Sequence, residues 1–167
     1  MPRDMWPGIA DSPETFGGGW ANSWKLSAEE QDMKDAVGEL ARIRKTYLAD
    51  VAAEFFTGRV DLGTQRKDIA WFSLGGREMT EDHWADGEKR SLTVLIEAGP
   101  HRGLLLLLNS SQHETTFTLP DEKWGTSFRR IFDAASPVLT HEPVINQPMQ
   151  KVIVAQHCAQ VWLVTRS

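Results

Sequence analysis

From Ser27 to Phe56 the apolar positions recur at three- and four-residue steps: Met33, Val37, Leu40, Tyr47, Leu48 and Val51, with Ala36 and Ile43 filling the same stripe. That spacing predicts an amphipathic helix whose other face is charged. Ser27-Ala28-Glu29-Glu30 opens it as a capping box, in which Ser27 and Glu30 satisfy each other's orphan amides. Gly58 supplies a stop, so the predicted helix occupies 27–57 and needs a surface to cover.

After Gly58 the period changes. Short apolar runs bounded by Gly, Pro, Asp or Ser appear at DIAWFSL, SLTVLIE, GLLLLLN, TTFTL, SFRRIFD, KVIVAQ and QVWLVTR. Seven such runs predict an antiparallel β-sandwich or Greek-key arrangement over 58–167. GLLLLLN reads as a strand buried on both faces. TTFTL alternates, with Thr116 and Thr118 on one side and Thr115, Phe117 and Leu119 on the other. Residues 1–26 carry no sustained period and read as an irregular lead-in; Trp6, Trp20 and Trp24 within it suggest packing against something larger.

Composition narrows the partners. A chain of 167 residues makes one domain, or one domain with an appended helix. The net charge of −5 offers no general attraction to nucleic acid or to an anionic membrane surface. No apolar run is long enough to span a bilayer, and the N-terminal stretch lacks the apolar core of a secretory signal. Cys158 is the single cysteine, which fits a reducing compartment and a cytoplasmic location. Its setting, VIVAQHCAQVWLV, reads as strand, where His157 and Cys158 would point to opposite faces, so a buried structural thiol is expected.

Candidate chemistry is sparse. In SLGGREMTEDHW, Glu78, Glu81, Asp82 and His83 are ligand types for a divalent ion, yet their spacing fits a turn better. Gly75-Gly76 marks that turn, and Thr80 followed by Glu81 and Asp82 marks a helix N-terminus; no metal or cofactor is expected. The glycines of FGGGW have no strand before them, and His141-Glu142 is followed by Pro143, so neither a phosphate loop nor a zinc helix is predicted. Asp61 in GRVD superficially matches an arginine-oriented nucleophile but has no apolar strand before it. Trp71, Trp84 and Trp124 are the aromatic rings a sandwich could present to a sugar, although filling the core is the simpler role for each.

Four segments occur in a telling order: FFTGR at 55–59, GREMTEDHW at 76–84, LLLLLNSSQHETTFTLP at 104–120 and WGTSFRRIFDAASP at 124–137. In that order they resemble the C-terminal region of isoamylase-type glycogen debranching enzymes, glycoside hydrolases of the α-amylase superfamily. The chain departs from that pattern at Gly75-Gly76, where the family usually has Asp-Gly, and at His83, which separates Asp82 from Trp84. The resemblance implies an α-amylase C-terminal-domain-like sandwich preceded by the last helix of a catalytic (β/α)₈ barrel. The family's catalytic motifs are an aspartate nucleophile, a glutamate acid/base and a third aspartate after a histidine, and none can be matched here. No catalytic residue is therefore assigned.

The resemblance implies the C-terminal module of an α-1,6-glucan debranching enzyme, non-catalytic by itself. Two alternatives remain: a stand-alone glucan-binding module using Trp84 or Trp124, and an accessory domain docking on a separately encoded barrel. Self-association through the helix stripe is a further expectation.

Overall fold

A computed structural model describes residues 26–49, 51, 55–136 and 143–166. Trp6, Trp20, Trp24, the FGGGW loop and His141-Glu142 lie outside the described residues. The chain divides into two units at Lys34/Asp35, and each is taken by itself.

Helix α1 spans Ala28–Tyr47 and begins with the expected capping box. The Ser27 amide donates to Glu30 Oε2 at 2.7 Å, and the Glu30 amide donates to Ser27 Oγ at 3.2 Å. The helix ends at Tyr47, short of the predicted 57. The chain has turned by then, with the Leu48 amide donating to Arg44 O and that of Val51 to Leu48 O. Farther on, the Asp68 carboxylate takes the backbone amides of Thr57 and Gly58, which places this stretch in a tertiary contact that helical periodicity does not encode.

Within the second unit, the runs predicted as strands form β1 (Ile69–Phe72), β2 (Ser91–Glu97), β3 (Arg102–Asn109), β4 (Thr115–Thr118), β5 (Ser127–Asp133), β7 (Lys151–Val154) and β8 (Cys158–Thr165). The two-residue β6 (Ile145–Asn146) was not foreseen, and helix α2 (Glu81–Ala85) sits between β1 and β2. All pairings are antiparallel. One sheet has the order β1-β2-β3-β8-β5-β6 and the other pairs β4 with β7. Mainly antiparallel β structure with an N-terminal helix is thus the architecture, as the pattern of short runs predicts.

The sheets face each other across Phe72, Leu95, Leu105, Leu107, Phe117, Leu119, Phe128, Val154, Trp162 and Val164. On the opposite face of the large sheet, Ile43 of α1 packs with Leu104, Phe132, Val161 and Leu163. Strand β3 therefore alternates between two apolar environments, Leu105 and Leu107 in one and Leu104 and Leu106 in the other. That accounts for an unbroken leucine run. In β4, Phe117 is buried while Thr116 is exposed, following its alternation.

A register shift between Arg130 and Phe132 reverses the faces of β5. Phe128 stays in the inter-sheet core, Phe132 joins the α1 side, and Asp133 turns toward Gln160 and Cys158. Asn109, at the end of β3, joins the two sheets. Its Nδ2 donates to His113 O at 2.9 Å, Ala155 O at 2.9 Å and Val154 O at 3.2 Å. Its Oδ1 accepts from Ser91 Oγ, Thr115 Oγ1 and the Ser111 amide. At the other end, Arg166 closes the chain by donating to Trp124 O at 2.8 Å and to Glu97 Oε2 at 2.7 Å. No helix among the described residues is long and apolar enough to cross a membrane.

Candidate functional site

Aromatic and polar side chains meet at the β1 edge of the large sheet, and Asp68 builds the local frame. Its Oδ2 accepts from the Thr57 amide at 2.6 Å and Thr57 Oγ1 at 3.1 Å, and its Oδ1 accepts from the Gly58 and Ile69 amides, both at 2.8 Å. Desolvation pushes this carboxyl upward, but the backbone donors and the Thr57 hydroxyl together outweigh it and hold the group below the usual aspartate range. Gly58, with φ 66°, is therefore a left-handed turn residue in this frame instead of a helix stop.

After β1 the chain turns through Gly75-Gly76. Gly76 has φ 74°, and a β-carbon there would lie 2.8 Å from Leu119 O and 2.9 Å from Thr118 O. The backbone approach needs glycine. Glu78 follows, bridged to Phe72 through the backbone and ion-paired to Lys67 Nζ at 2.5 Å. Thr80 then caps α2, as its position predicts. The reciprocal partner is His83: Thr80 Oγ1 accepts from the His83 amide at 3.4 Å, and the Thr80 amide donates to His83 Nδ1 at 3.1 Å. Of the metal-ligand types in this stretch, His83 is engaged in the cap and Glu78 in an ion pair, while Glu81 and Asp82 lie exposed in the first turn of α2. A histidine completing the box is not a pattern that sequence rules search for.

These elements leave an open groove of about 140 Å³ lined by Gly58, Lys67, Ile69, Ala70, Trp71, Glu78, Met79 and Trp84. The rings of Trp71 and Trp84 meet edge-on, with centroids 5.7 Å apart and planes at 74°. Trp84 remains 54% exposed, and Trp71 is half-buried. Trp124 is elsewhere, against Phe72 at 5.1 Å and beneath Lys123 Nζ at 5.0 Å from its ring centroid. At 4% exposure it packs in the core, and it also borders a separate concavity with Glu78, Asp121, Lys123 and Met149.

Glu78 is the one carboxylate among the residues lining this groove, whereas retaining glycoside cleavage needs two, about 5 Å apart. A neighbouring concavity includes Asp86 and Glu88, but both are exposed and face bases, Lys89 at 2.8 Å and Arg90 at 3.7 Å. The Lys89 hydrogen bond, with the Glu88 amide, lowers the Asp86 pKa, opposite to what a general acid requires. Asp61 is a turn residue whose Oδ1 accepts the Gly63 and Thr64 amides at 3.0 and 2.7 Å.

Cys158 is buried at the start of β8, with Sγ 3.5 Å from Asp133 Oδ1. Burial first, and the Asp133 charge second, push its thiol up, which disfavours the thiolate, in keeping with a buried structural thiol. His157 differs from expectation. It lies exposed in the turn before β8 with φ 48°, its amide donating to Ser111 O, and is not part of the strand.

The model of the family described as "Isoamylase, C-terminal" matches residues 68–167. The chain belongs to the isoamylase C-terminal family. The matched residues begin at Asp68, the carboxylate on which the groove is framed, and run through β8. Beyond the family model, the chain is 27% identical over 128 residues to the "Glycogen operon protein GlgX homolog" of Mycobacterium tuberculosis (strain ATCC 25618 / H37Rv). Identity to the homolog of the same description from Mycobacterium bovis is the same. Each alignment covers 69% of this chain and 18% of the relative, so the chain spans less than a fifth of the length of the curated relatives it matches. Among solved structures, Cel44A, a family 44 endoglucanase from Clostridium thermocellum, is 17% identical over 47% of this chain and 17% of its own, with a TM-score of 0.34. That score is too low to bear on fold or function. For this isoamylase C-terminal chain, the resemblance carried by its four sequence segments and the family match agree.

Proposed function

We propose that the chain is the C-terminal module of an α-1,6-glucan debranching enzyme and, without a catalytic barrel, does not hydrolyse glucan by itself. The observation that carries this reading is the family match over 68–167, joined to a GlgX homologue aligned over only 18% of its length. The groove at the β1 edge agrees with it, since Glu78 is the one carboxylate in its lining and retaining cleavage needs two about 5 Å apart. A cytoplasmic location goes with the reading, since the lone Cys158 needs no oxidising compartment.

The stretch just before the matched region favours contact with a second body, whether in the same polypeptide or as a separately encoded barrel. Phe55 is 99% exposed and Leu62 86%, and Phe56 and Val60 are exposed as well. Asp68 fastens Thr57 and Gly58, and the Val60–Lys67 bridge fastens the next residues, so these apolar side chains are presented on an ordered backbone. Such a strip marks an interaction surface. The test is to incubate the purified chain with glycogen and measure released linear oligosaccharide. No release above the blank is expected, and turnover at an enzyme-like rate overturns the proposal.

A further inference from the structure

The groove at the β1 edge is not accounted for by a role as passive closing domain, and it has the composition of a saccharide subsite. Resting on the reading of the chain as a debranching-enzyme module, we propose that this groove binds one pyranose unit of an α-glucan, with the Trp84 ring as its stacking platform and Lys67 and Glu78 as its hydroxyl partners.

Three features lead to this ligand class. First, a large aromatic side chain stands half in solvent at the groove. The edge-on contact with Trp71 at 5.7 Å holds Trp84 in place, so stacking a ligand on it costs little side-chain ordering. Second, the polar members of the lining are a cation and an anion already paired at 2.5 Å and each about one-third exposed. A ligand of net charge would gain from one and be opposed by the other. A neutral polyol gains from both, its hydroxyls accepting from the Lys67 ammonium and donating to the Glu78 carboxylate, as charge-assisted bonds. Third, the groove of about 140 Å³ has room for about one sugar ring and is open, as a site on a polymer must be. The apolar members of the lining that remain partly exposed, Ile69 and Met79, suit the C–H face of a pyranose.

The chain contains seven tryptophans, so ring-specific detection is needed. In a ¹⁵N-labelled sample, the indole N–H resonance of Trp84, assigned by its loss in Trp84→Phe, is followed during titration with maltoheptaose. Cellohexaose serves as the β-linked control. The expected result is a saturable shift with maltoheptaose, a smaller one with cellohexaose, and binding about tenfold or more weaker in Trp84→Ala, the loss of one stacking contact. Lys67→Met, at a half-buried position, weakens binding as well, and thermal melts verify that both variants fold. No shift up to solubility-limited maltoheptaose, an affinity unchanged in Trp84→Ala, or an equal response to cellohexaose overturns the proposal. Absence of binding in a chain that also leaves glycogen uncleaved fails the groove alone, whereas cleavage of glycogen removes the module reading beneath it.

Discussion

At the scale of single residues, the fold depends on a few side chains that fasten backbone to backbone. Asn109 is 3% exposed and presents its amide to three carbonyls belonging to the loop after β3 and to the end of β7. Asn109→Asp replaces that donor with an anion against carbonyl oxygens, and it is expected to cost about 3 kcal/mol at neutral pH by urea unfolding. Gly76→Ala should cost roughly 2 kcal/mol or more, since the added β-carbon meets backbone that no side-chain rotation can move. Asp68 gives the pH dependence. Its folded pKa lies below its unfolded one, so its contribution is present above the unfolded value of about 3.9 and is lost as pH falls through the folded value. Asp68→Asn is accordingly destabilised relative to the parent at pH 7, and the difference between the two melting temperatures shrinks as pH falls through the folded value. Of these roles, the Gly75-Gly76 turn and the Thr80 cap were legible, because turn and cap residues act locally. Asn109 stood out only as the end of a leucine run, since its partners on β7 are remote in sequence.

At the scale of elements, hydrophobic period located each strand except β6, which is too short to show one. The β5 register shift was equally invisible, because an extra residue leaves the composition of SFRRIFD unchanged while reversing its faces. Helix α1 shows where periodicity overreaches. The stripe is continuous in sequence, yet Ile43 is 3% exposed while Val37 and Leu40 remain exposed. Ile43 alone of the helix is fully enclosed, by Leu104, Phe132, Val161 and Leu163. Ile43→Ala is predicted to destabilise the second unit by about 2–4 kcal/mol, and Val37→Ala or Leu40→Ala by no more than about 0.5 kcal/mol, read from denaturant midpoints at constant slope.

At the largest scale, the second unit combines two facing sheets, a helical segment packed on the outer face through Ile43, and an exposed apolar strip at Phe55, Phe56, Val60 and Leu62. The strip lay inside segments read as helix end and loop, so its exposure could not be inferred from pattern alone. Trp84 and Trp124 illustrate the same limit: both were aromatic candidates by sequence, and only packing separates an open ring from a core ring. The most direct test of the module account is a graft. Residues 55–167 replace the corresponding C-terminal segment of a GlgX-type debranching enzyme, and release of linear oligosaccharide from glycogen is measured beside the same enzyme truncated before that segment. Recovery of folded, active enzyme by the graft but not by the truncation is the predicted result. A graft that folds no better and cleaves no faster than the truncated enzyme would contradict it.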